Sequence, residues 1–242
     1  RIGTLMAGSI ESGKWRPEPW KHAWLLRNVG YSYSVRGDGE RAIELLEQAM
    51  AILEGYQDAT AQTAINKVVS LNALAAEYRT RGDYDKALEY HDQVLNVLEC
   101  EPYKDSRGKA RTYGDIGYTY LERGKMRNDG RDLAIAAEYF LKADSFSEHL
   151  PGDVPRIRAF MAEVAAETGS VLEAIRAGIE ALGLAETEGE IFAKIRAWNA
   201  LALCLAQKDA ELSVALLRSS GAVCSEIGYE SRFGQIKALS RK

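Results

Sequence analysis

Cysteine, histidine and proline are all scarce in this chain: three, three and five among 242 residues. Cys100, Cys204 and Cys224 are odd in number and never in C-x-x-C spacing, which argues against a disulfide framework or a zinc site and fits a reducing, cytoplasmic compartment. His22, His91 and His149 are too far apart in sequence to suggest a shared metal. No apolar run approaches the roughly 20 residues of a membrane helix. With 31 basic and 35 acidic residues, net charge -4, no basic excess exists to track nucleic acid or an anionic membrane. G-x-S-x-G, H-E-x-x-H and glycine-rich dinucleotide motifs are missing too. Nothing argues for an enzyme, a metal or another cofactor.

GSIESGKW, Gly8 to Trp15, is one residue short of the phosphate-binding loop G-x-x-x-x-G-K-[ST]. Trp15 stands where magnesium needs a hydroxyl, and Pro17 and Pro19 forbid the uninterrupted helix that must follow. The stretch reads as a turn between a truncated helix, Arg1 to Ile10, and the first long helix. Because the chain opens on Arg1 without a secretory signal, it reads as a piece of a longer protein.

What the chain does have is an internal repeat. Leu26, Val29, Gly30 and Tyr33, then Ala42, Leu46 and Ala49, form two helical stripes split by a turn. The layout returns with Leu71, Leu74, Ala75 and Tyr78, then Ala87, His91 and Val94, and again with Tyr113, Ile116, Gly117 and Tyr120, then Ala136, Phe140 and Ala143. Seven extra residues sit in that third turn, so KMRNDGRDL, Lys125 to Leu133, is expected as a solvated loop or a partner contact. A weaker fourth copy has Met161, Ala162 and Ala165, then Ala174, Gly178 and Ala181. A fifth has Trp198, Leu201, Ala202 and Leu205, then Ala215, Ser219 and Ala222. Small residues at fixed positions let paired helices approach closely. Gly37, Gly82, Gly124 and Gly169 are expected as left-handed C-terminal caps, and Asp38 and Asp83 as N-caps. His91 and the tyrosines Tyr33, Tyr78 and Tyr120 read as core.

These segments resemble the tetratricopeptide repeat family, whose pattern is W-x2-L-G-x2-Y followed by A-x3-F. The small first-helix residues recur after 45, 42, 45 and 40 positions, against about 34 in the family, so this is a long-repeat form. The resemblance implies an all-α, right-handed superhelical α-solenoid of about five helix-turn-helix pairs in one domain. The repeats run approximately 19–55, 58–101, 105–147, 153–187 and 189–227, with a terminal helix over 228–242.

The resemblance also implies a concave wall lined by the first helix of each repeat. The stripe opposite the packed one supplies Arg27, Asn28 and Tyr31, then Asn72 and Arg79, then Arg111, Asp115 and Tyr118, then Glu163, and finally Arg196 and Asn199. Asparagine amides can both donate to and accept from an extended backbone, and arginine forks suit carboxylates. The expectation is therefore a scaffold or sensor that binds a protein or peptide segment on this face, with homo-oligomer contacts possible through the solenoid ends. The alternative is the regulatory arm of a larger bacterial transcription regulator or signalling ATPase. The family's clamp for a chaperone's C-terminal carboxylate is not reproduced, since the corresponding places hold Arg27, Tyr31, Ala73, Arg111 and Asp115.

Overall fold

Pro19 opens the first helix, where a missing backbone N–H costs nothing. From there a computed structural model describes residues 18–55, 60–100, 105–146, 148, 151–206 and 208–227. GSIESGKW, Arg1 to Ile10 and residues 228–242 lie outside the described residues. Ten α-helices and no strand occur among those described. They are α1 (Pro19–Val35), α2 (Gly39–Glu54), α3 (Ala61–Thr80), α4 (Tyr84–Glu99), α5 (Ser106–Arg127), α6 (Gly130–Asp144), α7 (Val154–Glu167), α8 (Val171–Glu188), α9 (Ile191–Leu205) and α10 (Ala210–Glu226). The chain divides into two compact units, Arg1–Thr112 and Tyr113–Lys242, the division falling within α5.

One piece of chemistry turns the chain between the paired helices. Gly37, Gly82 and Gly169 adopt φ of 82°, 81° and 77°. The amides of Asp38, Asp83 and Ser170 then donate five residues back, to the carbonyls of Tyr33, Tyr78 and Ala165, at 3.0, 2.9 and 2.8 Å, which satisfies carbonyls the helix end would leave bare. Asp38 and Asp83 start the next helices by accepting from the amides of Arg41 and Lys86, both at 3.2 Å.

The third turn departs from expectation. Gly124 is not a cap and Lys125 to Leu133 is not a loop: α5 continues to Arg127, and α6 begins at Gly130. Asn128 takes the left-handed position at φ 50°, while Asp129 donates to the Gly124 carbonyl at 2.9 Å. Asparagine is the non-glycine residue best suited to that conformation. The seven extra residues are shared between the two helices, about one turn each, so the pairing of their faces survives. Inside α5 Gly124 is needed small, because a Cβ there would lie 3.0 Å from Leu133 and 3.1 Å from Asp132.

In the first unit the core is built from Leu26, Val29, Leu46, Leu53, Leu71, Leu74 and Leu98, with Tyr78 buried and Tyr33 packed against it. His91 is buried as expected. In the second unit the complementarity is sharper. Phe140 is fully buried and lies over Gly117, where a Cβ would meet its ring at 2.8 Å. Leu201 fills the space above Gly178 in the same way.

The expected stripe on α10 is two positions out of register. Ala215, Ser219 and Ala222 are exposed, and the buried stripe is Ser213, Leu217, Ser220 and Cys224. Ser213 holds the place that alanine fills in the other repeats, and its buried hydroxyl donates to the Ala202 carbonyl at 2.8 Å. That bond removes the cost of a polar group between packed helices.

Candidate functional site

In the first unit, five large apolar side chains are left outside the core, Trp24, Tyr31 and Val35 on α1 and Ile65 and Val69 on α3. Trp24 is 45% exposed, Tyr31 64% and Val69 42%. On α1, Trp24, Arg27, Asn28 and Tyr31 are spaced three, four and seven positions apart, so they line one stripe. On α3, Val69, Asn72 and Ala76 do the same. Singly scattered exposed apolar residues need no explanation, and only larger apolar patches call for one; here the exposed side chains fall on stripes of two helices joined by a polar contact.

The two stripes meet through a fixed polar contact. Arg27 Nη1 donates to Asn66 Oδ1 at 3.1 Å. Asn66 is almost fully buried on α3, and its own Nδ2 donates to the Gln62 carbonyl at 3.0 Å. That second bond turns the amide so that its oxygen faces Arg27. Burial depresses the Arg27 pKa. Asn28 Nδ2 donates to the Trp24 carbonyl at 2.7 Å, and Asn72 Oδ1 is shielded from solvent with no hydrogen bond among the described residues. Arg79 is half-buried near the end of α3, and Arg111 is exposed on the first part of α5. Asn66 was not among the residues expected here. A polar residue nine positions before the small Ala75 has no counterpart in the family pattern to signal it.

In the second unit the equivalent positions are drawn into a network. Glu163 on α7 accepts from Lys125 on α5 and from Arg196 on α9, each at 2.6 Å. Arg196 Nη2 also donates to the Tyr118 hydroxyl at 2.7 Å. Its guanidinium lies 4.5 Å from the Tyr118 ring centroid and 4.6 Å from that of Phe160, which stack on each other at 4.8 Å. Burial alone would raise the Glu163 pKa, but the two cations outweigh it and hold the carboxyl at about 2. Burial likewise opposes charge on Arg196 and Lys125, and Glu163 raises both above their ordinary values.

Tyr118, Glu163 and Arg196 are thus brought together, with Lys125 of the expected loop as a fourth member. The face was expected to project polar groups the core does not use. Arg196 instead is 7% exposed and fully engaged. Asp115 is half-buried on α5, and Asn199 Oδ1, like that of Asn72, is shielded and without a hydrogen bond among the described residues. No group of three or more His, Cys, Asp or Glu side chains able to hold a metal occurs among the described residues.

Residues 21–99 match the tetratricopeptide repeat family. No curated protein matches it in sequence, but solved structures with tetratricopeptide-like helix pairs do match in fold. Aspartyl phosphate phosphatase F from Bacillus subtilis superposes with a TM-score of 0.70 at 14% identity, over 94% of this chain and 62% of that one. The apo form of RapI gives 0.68 at 16%, over 90% and 74%. The nearly identical TPR-like repeats of a protein from Podosopora anserina, described as a kinesin light chain, give 0.62 at 16%, over 89% and 100%. At these identities the fold is what is shared. The present chain spans less than two thirds of the Bacillus subtilis phosphatase, and among the described residues no helix is long and apolar enough to cross a membrane.

Proposed function

We propose that this chain is a binding scaffold that takes a peptide or protein segment on the first-helix face of its first unit. The observation that carries the proposal is the exposed group of Trp24, Tyr31 and Val69 on adjacent helices, edged by the amides of Asn28 and Asn72. Apolar anchors surrounded by groups able to bond a backbone are what a segment-binding surface requires. The chemistry performed is recognition.

Selection of displayed random peptides on the immobilised chain tests this, with Trp24→Ala/Tyr31→Ala as the comparison. Peptides enriched on the parent and lost on the double variant support the face. Peptides that bind both alike place recognition elsewhere.

A second reading is supported by the incomplete coverage of aspartyl phosphate phosphatase F and RapI, 62% and 74% of their lengths. In it the same face engages an effector domain of a larger protein. Full-length protein in which the face is already protected from hydroxyl-radical footprinting at Trp24 and Tyr31, without added partner, favours that version.

A further inference from the structure

Arg27 poses a question that the exposed apolar group alone does not answer. It is a half-buried guanidinium whose one hydrogen-bond partner among the described residues is a neutral amide oxygen, Asn66 Oδ1. No carboxylate pairs with it among those residues. A cation removed from water and left without an anion is costly, and an arginine fork is the natural seat for a carboxylate. The surroundings offer none from within: the stripe positions Trp24, Arg27, Asn28 and Tyr31 on α1, and Val69, Asn72 and Ala76 on α3, include no Asp or Glu. The corresponding stripe in the second unit does, at Asp115 and Glu163, and there the arginine is compensated.

We infer that the segment recognised by the first unit carries an internal acidic side chain that seats on Arg27, with apolar side chains before and after it packing on Trp24 and Tyr31. This rests on the binding-face reading above. An internal side chain, as opposed to a chain terminus, follows from the placement of the anchors. Trp24 lies three positions before Arg27 and Tyr31 four after it, a span of ~10 Å along the helix. A ligand whose carboxylate ended the chain at Arg27 would leave one of the two aromatic side chains without a partner. Asn66 is a positioning residue in this scheme: it holds the guanidinium across the helix seam, and no described carboxylate takes up the remaining donors.

The test uses fluorescein-labelled peptides of eleven Leu, Phe and Ser residues, acetylated and amidated, with a central Glu, Gln or Lys. A fourth peptide has central Gln and a free C-terminal carboxylate. Binding to the full chain is read by anisotropy. The Glu peptide should bind about tenfold tighter than the Gln peptide, as expected of one charge-assisted bond, and the Lys peptide weakest. In Arg27→Gln the Glu-to-Gln ratio should fall to about one while weak binding of both persists. Asn66→Asp, which supplies the carboxylate from inside with little change of shape, should abolish the preference while keeping or raising Tm. Equal binding of Glu and Gln peptides to the parent, or a preference that survives Arg27→Gln, overturns the inference and leaves the face intact. Tightest binding by the free-terminus peptide overturns the internal placement. Failure of every peptide to bind removes the face itself, and this inference with it.

Discussion

Arg27 and Arg196 lie on the corresponding stripes of first helices in different units, and meet opposite conditions. Arg196 is the more buried, yet its charge is reinforced, because Glu163 and Tyr118 engage it and two rings cover its face. Arg27 is less buried but among the described residues is met by the neutral amide of Asn66 and no carboxylate, and burial lowers its pKa. The first unit thus exposes apolar side chains around a cation that no described carboxylate compensates, and the second has spent the same positions on an internal network. A repeat lattice fixes where side chains project, and the identity of one acidic residue decides whether that place serves the fold or remains available to a ligand.

The largest difference should appear on removing the carboxylate that closes the second unit. Glu163→Ala leaves Lys125 and Arg196 facing each other in a buried site, an arrangement that costs roughly 3–5 kcal/mol. Urea unfolding should show that loss, while Arg27→Leu in the first unit should change stability by no more than about 1 kcal/mol. Comparable losses for the two variants would erase the distinction between the units.

Packing should separate the units by a smaller margin. At Gly117 an added Cβ would sit 2.8 Å from a fully buried Phe140 ring, itself stacked on Phe160 at 5.1 Å. At Gly30 the nearest atoms are the Ala42 carbonyl at 3.2 Å and Leu46 at 3.3 Å. Gly117→Ala is therefore expected to cost about 1–3 kcal/mol, as overpacking does, and Gly117→Leu to prevent folding of its unit. Gly30→Ala should cost less, and thermal melts of the two alanine variants check the order.

How far these features were legible in sequence varies with how local their causes are. The helix pairs, their glycine caps and the aspartate N-caps depend on residues within one turn of each other, and Gly37, Gly82, Asp38 and Asp83 announce them. Gly124 misled because a seven-residue insertion moves the turn: spacing points to the glycine, but the chain needs its left-handed residue at Asn128. On α10 two stripes of small residues compete, and only the hydroxyl of Ser213 meeting the Ala202 carbonyl decides which is buried. The stripe positions themselves were readable from the repeat. The bonds of Arg27 to Asn66 and of Arg196 to Glu163 and Tyr118 join residues 39, 33 and 78 positions apart on different helices, and no periodicity encodes them.

Acid offers a third, gentler separation. The folded-state pKa of Glu163 is depressed from 4.5 to about 2. A depressed carboxyl contributes stability that is fully present above its unfolded value and is lost as pH falls through the folded value. The second unit should therefore lose stability between about pH 4.5 and pH 2. Glu163→Gln should flatten that part of the profile. Hydrogen exchange followed along α7 and α9 can localise the loss, and an unchanged acid profile in Glu163→Gln would detach the network from the stability of the unit.

The face with the largest effect on binding should matter less to stability than the buried Glu163 network. Trp24 and Tyr31 leave 45% and 64% of their surface in solvent, so truncating both removes part of the area that a core aromatic would, and Trp24→Ala/Tyr31→Ala should cost about 1–2 kcal/mol of folding free energy. Anchors of this type commonly carry 2 kcal/mol or more of an interaction, so the same variant should weaken binding of selected peptides by roughly thirtyfold or more. The matched control is Tyr118→Phe in the second unit, which removes the hydroxyl bonded to Arg196 and should cost ~1 kcal/mol of stability with binding unchanged. If the control weakens binding while the double variant does not, the open and closed assignments of the two units are reversed.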